Sequence, residues 1–328
     1  MRIISAADLA GIFSFPDLVE TLRSAFRREV VTPVRHHHEI TISREPAAML
    51  LLMPAWDDFS AAERAHKGHL GVKVVSVYPG NSARGRPSVA GTYLLMDGAT
   101  GEPLAVIDGL ALTLWRTAAA SALAASYLAR EEANRLVMVG AGALAPYLIA
   151  AHASVRQITQ VVVWNRNVSR AEELAASLGH CPYSVRAATD LEQAVRFADI
   201  VSCATLSSEP LVRGAWLKPG THLDLVGAFT PRMRESDDEA VRRARLYVDT
   251  REGALKEAGD IVQPLRAGVI SERDIVGDLF GLCRGTEIGR RTTEEITLFK
   301  SVGTALEDLA AATSAYSRLT GPEAAQVS

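Results

Sequence analysis

Residues 135–145 read RLVMVGAGALA, from Arg135 to Ala145. An unbroken apolar run enters Gly140-Ala141-Gly142-Ala143-Leu144-Ala145, and a strand that feeds a glycine turn opening a helix is the setting of the G-x-G-x-x-G/A dinucleotide fingerprint. Gly140 suits the tight turn, Gly142 lets a pyrophosphate approach the backbone, and Ala145 allows the helix to pack close to its strand. The helix N-terminus then stabilises the anion. The competing reading is a glycine turn in an α/β protein that holds no cofactor.

The alternation continues downstream. QVVVWNRN (160–167) is followed by a helix opening at Ser169, with Glu172 in capping-box spacing. Further strands read DIVSCAT (199–205), THLDLVGAF (221–229) and RLYVDT (245–250), separated by amphipathic helices. The pattern predicts a Rossmann-type, doubly wound parallel sheet of six strands. At the end of the second strand, Trp164-Asn165-Arg166-Asn167 lacks the carboxylate that NAD-binding proteins direct at the ribose 2′-hydroxyl. Asn165 and Arg166 suit a 2′-phosphate instead, so NADP(H) is preferred and NAD(H) possible, unless Arg166 is merely a solvated loop arginine. Thr205, Val226 and Gly227 complete the expected cofactor positions.

Upstream the periodicity differs. Asp17–Arg28 reads as an amphipathic helix, and strand-like runs cover Val34–Ile42, Ala48–Met53, Gly71–Tyr78 and Val89–Asp97, with turn signals in PGNSARGRP between the last two. Mostly antiparallel strands packed with one helix predict a small α+β domain. Asp108 can cap a helix over about residues 109–129. A last helix, about Gly303–Arg318, is expected to pack back on this domain. The expected division is 1–118, completed by about 304–328, as an α+β substrate and dimerisation domain, and 119–303 as the dinucleotide-binding domain.

Two basic residues stand in apolar surroundings. Helical spacing puts Arg116 on a stripe with Leu112, Ala119, Ala120 and Leu123, facing inward. A buried guanidinium needs an anionic partner; no internal carboxylate is evident beside it, so a substrate carboxylate competes with an intramolecular ion pair. Lys73 alternates with Val75 and Val77 and interrupts an apolar strand face, either for function or as a protective lysine on an edge strand. Arg35 shares a face with His37 and Glu39, and periodicity alone leaves it in solvent. The run His36-His37-His38 does not suggest a metal site, because successive strand residues point to opposite faces.

Composition limits the remaining options. The 328 residues carry 35 basic and 38 acidic side chains, a net charge of −3, too balanced to attract nucleic acid or anionic membrane generally. Cys181, Cys203 and Cys283 form neither a disulfide framework nor a zinc motif, which fits a cytoplasmic setting. The start, MRIISAADLAGIFSF, carries Asp8 within its apolar stretch and does not read as a signal peptide; no stretch reads as a membrane span. No G-x-S-x-G, HExxH or Walker pattern supports a hydrolase or kinase.

The segments PVR (33–35), LMPAW (52–56), VKVVSVYPGNSARGRPSV (72–89), RTAAASALA (116–124), GAGALA, WNR and LFKSVG (298–303) are similar to those of the ornithine cyclodeaminase/mu-crystallin family. The resemblance implies a homodimer joined through the N-terminal domain, and a basic clamp of Arg35, Lys73 and Arg116 for a substrate α-carboxylate, with Ser88 nearby. It also implies an acidic residue for the distal amine of ornithine, where this chain has Phe229, and a glutamate where it has Leu51. An ammonium would stand unpaired there, while Phe229 suits an uncharged ring. VGAFTPRMRE and PVRHHH look most like the cyclic ketimine reductase branch, which reduces Δ1-pyrroline-2-carboxylate and Δ1-piperideine-2-carboxylate. Lys73 and Arg116 are then the expected catalytic residues. An open-chain amino-acid dehydrogenase of alanine type, an ornithine cyclodeaminase and a non-catalytic NADPH-binding crystallin remain as alternatives.

Overall fold

The computed structural model describes residues 1–43, 46–60 and 68–321. They form two compact units, one of residues 1–117 with the segment from 304 on, the other of residues 118–303.

The first unit is built on a seven-stranded mixed sheet. In chain order it contains β1 (Arg2–Ile4), helices α1 (Ala6–Ile12) and α2 (Phe15–Arg27), and strands β2 (Val30–Val31), β3 (His36–Ile40), β4 (Ala48–Asp57), β5 (His69–Val77), β6 (Val89–Asp97) and β7 (Pro103–Asp108). The strand order is β1-β7-β6-β5-β4-β2, with β3 also paired to β4. Strands β4 to β7 form an antiparallel meander, whereas β1 joins β7 in parallel. The expected, mostly antiparallel sheet is therefore present, with one parallel addition: three-residue β1 is too short to show a period in the sequence. PGNSARGRP is a turn, as read, with a 3₁₀ segment over Pro79–Arg84.

Local chemistry sets the helix starts. The Ser14 side chain accepts from Asp17 N at the start of α2, and Leu18, Val19, Leu22, Ala25 and Phe26 form its buried stripe. Asp108 Oδ1 accepts from Leu110 N and Ala111 N, capping α3 (Gly109–Leu128), the helix that contains the boundary between the units.

The second unit alternates strand and helix: β8 (Arg135–Val139), α4 (Ala145–Val155), β9 (Gln160–Trp164), α5 (Val168–Ser177), β10 (Ser184–Ala188), α6 (Leu191–Phe197), β11 (Ile200–Cys203), β12 (His222–Leu225), α7 (Asp238–Arg243), β13 (Arg245–Val248), α8 (Arg251–Glu257), α9 (Gly259–Arg266), β14 (Ile275–Asp278), α10 (Leu279–Arg284) and β15 (Thr297–Lys300). All pairs are parallel, in the order β10-β9-β8-β11-β12-β15-β13-β14. This is the Rossmann-type sheet, with eight strands rather than six. Half-exposed β10 and four-residue β14 lie at its edges, and four-residue β15 ends in lysine, so none carries a strong sequence signal. Central strands bury Val137, Val139, Val201, Leu223, Leu225 and Leu298, the apolar runs required when both faces are covered. Helix α5 starts one residue earlier than read. Its cap is Asn167, whose side chain accepts from Ser169 N, in place of a Ser169–Glu172 box.

The last helix, α11 (Ala305–Thr320), belongs to the first unit, where it packs on α2 and on β4, β5 and β6. Thr304 caps it, and nearly every residue in its first two turns is buried.

Candidate active site

Lys73 lies on β5, between β4 and β6, with Met53 and Tyr93 as its cross-strand partners. A central position removes the edge-strand reading. The side chain is only 2% exposed and Arg116, on α3, 5%. Both point at α11. Lys73 Nζ lies 2.8 Å from Asp308 Oδ1 and 3.4 Å from Thr113 Oγ1. Arg116 Nε donates to the same Asp308 oxygen at 3.0 Å, and its Nη1 donates to Glu307 Oε2 at 2.7 Å.

These internal carboxylates correct the sequence reading of Arg116, which found none. Glu307 and Asp308 stand 191 and 192 positions away along the chain. Their signal was an acidic pair inside an otherwise apolar helix start, ALEDLAAA, which reads equally well as favourable charge at a helix N-terminus.

Arg35 is half-buried and lies just before β3 rather than in it, so the alternation that would expose it does not apply. Its charge acts on both Lys73 and Asp308. Burial lowers the Lys73 pKa to about 8; Asp308 pulls it upward, while Arg116 and Arg35 push it down. Burial raises the Asp308 carboxyl, but Lys73 and Arg116 outweigh it and hold the group below its ordinary range. The first unit therefore brings Arg35, Lys73 and Arg116 into one electrostatic cluster and adds Asp308 and Glu307 to it. Ser88 closes the β5–β6 turn, its carbonyl accepting from Tyr78 N at 2.7 Å. Among the described residues, no hydrogen bond joins its side chain to the cluster.

In the second unit, Gly140 has φ +111° and an added Cβ would stand 2.6 Å from Ala204 O, so this position admits only glycine. Gly142 differs: an added Cβ there would meet nothing within 4 Å. Its hydrogen faces open space, as a backbone that admits a pyrophosphate requires. Leu144 precedes α4 without any side-chain cap, and Ala145 is buried where that helix begins. Ala141 N donates to Asn165 Oδ1 at 3.3 Å, tying the glycine loop to the end of β9. Arg166 is exposed and forms no ion pair among the described residues. The residues fit a dinucleotide on these grounds. Ala143 lies in the turn before α4.

Thr205 and Val226–Gly227 follow β11 and β12, at the carboxyl ends of the sheet. The Thr205 and Gly227 amides already donate to Glu235, another residue that sequence reasoning missed. Phe229 follows in the same unit and is 41% exposed. Leu51 lies on β4. His36 and His38 are exposed on β3, and no group of three metal-ligating side chains occurs among the described residues.

The family model for the ornithine cyclodeaminase/mu-crystallin family matches residues 3–323. The chain belongs to this family. A Δ1-pyrroline-2-carboxylate reductase from Colwellia psychrerythraea is 35% identical over 323 residues, covering 97% of this chain and 99% of that protein. A solved Δ1-pyrroline-2-carboxylate reductase from Thermococcus litoralis, in complex with NADH and L-proline, superposes with a TM-score of 0.89 at 36% identity and covers 97% of each chain. An archaeal alanine dehydrogenase dimer with bound NAD gives a TM-score of 0.88 at 28% identity, over 98% of this chain and 97% of that one. The ornithine cyclodeaminase/mu-crystallin fold therefore extends over both units. No helix among the described residues is long and apolar enough to cross a membrane.

Proposed function

We propose that this chain reduces cyclic imino acids, converting Δ1-pyrroline-2-carboxylate to L-proline and Δ1-piperideine-2-carboxylate to L-pipecolate. The observation that carries this reading is the burial of two cations, Lys73 and Arg116, against the shared carboxylate of Asp308, within the field of Arg35. Burial, Arg116 and Arg35 press on the Lys73 ammonium, and Asp308 opposes them. A substrate carboxylate would relieve that pressure through charge-assisted hydrogen bonds. Asp308 and Glu307 hold the two cations in place before substrate arrives, which spares the ordering cost of binding.

The glycine loop, the α4 N-terminus, Asn165 and Arg166 hold NAD(P)H, which supplies a hydride when bound. Arg166 favours the 2′-phosphate, so NADPH is the preferred form and NADH a usable one. Arg116 and Lys73 fix the C2 carboxylate. Lys73, with a pKa of about 8, carries a proton exchangeable near neutrality and maintains the ring nitrogen as iminium. C2 gains hydrogen, the C=N electron pair moves to nitrogen, and the product is the cyclic amine. Phe229 offers apolar surface to the ring methylenes. No carboxylate stands at Phe229 or Leu51 for the ammonium of ornithine.

Support for a homodimer comes from the face of the first unit's sheet opposite α11. Leu52, Val72, Val74, Leu94 and Val106 remain solvent-accessible there, and a contiguous apolar face of that kind calls for a partner.

The test is oxidation of NADPH and NADH by the purified chain with each cyclic imine and no added ammonia, in parallel with ornithine plus NAD. Rapid ammonia-independent oxidation, faster with NADPH, is expected. Activity that needs pyruvate and ammonia instead would favour an open-chain dehydrogenase, the reading that the likeness to alanine dehydrogenase keeps in view. Cofactor binding without turnover of any imine would overturn the reductase.

A further inference from the structure

Glu235 is fully buried in the second unit, and each of its oxygens serves a different strand. Oε1 accepts from Thr205 N at 2.7 Å and Thr205 Oγ1 at 2.8 Å, after β11. Oε2 accepts from Gly227 N at 2.7 Å and Ala228 N at 3.3 Å, after β12. Gly227 must be glycine because an added Cβ would lie 2.0 Å from Thr205 O and 2.5 Å from Glu235 Oε1. The chain around Glu235 is itself fixed. Asp260 Oδ1 accepts from Glu235 N and Ser236 N, while Glu235 O accepts from Leu211 N and Val212 N.

The two turns held in this way wall the dinucleotide fingerprint. A Cβ on Gly140 would meet Ala204 O at 2.6 Å and Thr205 Cγ2 at 3.2 Å, so the glycine turn rests directly on the segment that Glu235 grips. In an open parallel sheet the ligand crevice lies beyond the carboxyl ends of the strands, where these turns stand.

We propose that Glu235 is a positioning residue for the cofactor, acting through Thr205 and Gly227 to keep the turns after β11 and β12 at the spacing that admits a dinucleotide. The inference rests on the dinucleotide reading of the glycine loop.

Three backbone N–H groups and the Thr205 hydroxyl converge on two oxygens, and the ionised carboxylate accepts all four; a protonated acid either sets its hydrogen against a backbone N–H or reverses the bond to the Thr205 hydroxyl, and both loosen the grip on the turn. Burial and Asp260 press Glu235 toward protonation, Lys300 and the Thr205 hydrogen bonds oppose it, and the balance raises its pKa to about 7. The charged groups facing it are Lys300 on β15 and Asp260 on α9; Cys203 on β11, its thiol raised well above the ordinary value, stays neutral. Cofactor affinity therefore depends on pH near neutrality.

The experiment is a fluorescence titration of the full chain with NADH from pH 5.5 to 8.5; NADH lacks the 2′-phosphate, which titrates near pH 6 on its own account. Wild-type affinity is expected to weaken about tenfold per unit below pH 7, as loss of a single proton-linked contact requires. Glu235→Gln is expected to raise Kd by about ten- to hundredfold at pH 8 and to abolish the pH dependence, because its amide presents N–H to N–H. Glu235→Asp keeps the charge and should retain the dependence. Equal affinity and an unchanged profile in Glu235→Gln would overturn the proposal while leaving the dinucleotide site intact. If Glu235→Gln does not fold, a flat wild-type profile overturns it by itself. Absence of wild-type binding to both NADH and NADPH would remove the dinucleotide reading, and the proposal with it.

Discussion

Lys73 carries a charge at the threshold of loss, and the sign of its pH effect follows from its surroundings. Its pKa is lowered to about 8, so the ammonium that receives a carboxylate disappears as pH rises through that value. Binding of cyclopentanecarboxylate, a cyclic carboxylate with no nitrogen to titrate, should weaken above pH 8 and stay level between 6 and 7.5. An inhibition constant that does not change up to pH 9.5 would show that Lys73 takes no part in carboxylate binding. Arg116→Ala removes the guanidinium that Glu307 and Asp308 share in a buried ion-pair cluster. Loss of such a partner lowers stability by roughly 3–5 kcal/mol, and loss of the charge-assisted contact to the substrate carboxylate costs roughly 2–5 kcal/mol of binding, so Tm should fall and imino-acid kcat/KM should drop by a factor of about tens to thousands while the Kd for NADPH changes little. Equal loss of imino-acid turnover and of NADPH affinity would assign Arg116 a purely structural role. Inward placement of these two cations was legible in the sequence, because apolar alternation around Lys73 and the helical stripe around Arg116 are local patterns. Their counter-ions were not. Glu307 and Asp308 reach the cluster only through tertiary packing, and no spacing rule links residue 116 to residue 308.

At the scale of elements, α11 is the part that makes the cluster possible. Its Leu309 is 3% exposed and follows directly after Asp308. Leu309→Ala should destabilise the chain by about 2–5 kcal/mol through the cavity it leaves, and by weakening α11 it should also lower affinity for cyclic carboxylates. A calorimetric Tm together with a carboxylate titration checks both; a lower Tm with unchanged affinity would mean that α11 holds its acidic pair without this packing. Strands β8, β9, β11, β12 and β13 were legible because each is an apolar run next to a glycine, asparagine or acidic turn. Strand β1 was not, being three residues long, β14 offers only an Ile-Val pair before its glycine, and β15 hides its apolar pair between threonine and lysine. The start of α5 moved by one residue because Asn167 caps through its own side chain, which competes with any box formed further along.

At the scale of the molecule, the accessible apolar face of the first unit predicts its own assembly. Replacing Val74 and Leu94 together by glutamate should convert a species of twice the chain mass into one of the chain mass, measured by light scattering after size exclusion. A wild type of single-chain mass would remove the homodimer. The fold class was readable over the whole length because the glycine fingerprint sits in a long alternating block. That the last helix returns to the first unit was expected from the sequence, but the charges it brings there were not, since nothing in its spacing shows that Glu307 and Asp308 face Lys73 and Arg116. The open space above Gly142 bears on the proposed homodimer as well. An alanine methyl there strains nothing in the empty protein, so Gly142→Ala should fold with an unchanged Tm yet show no NADPH binding. Mixed with wild-type chains, it would produce pairs in which one copy is loaded and its companion is permanently vacant. The turnover of such half-loaded pairs, at half the wild-type rate or well away from it, would show whether the two copies work independently.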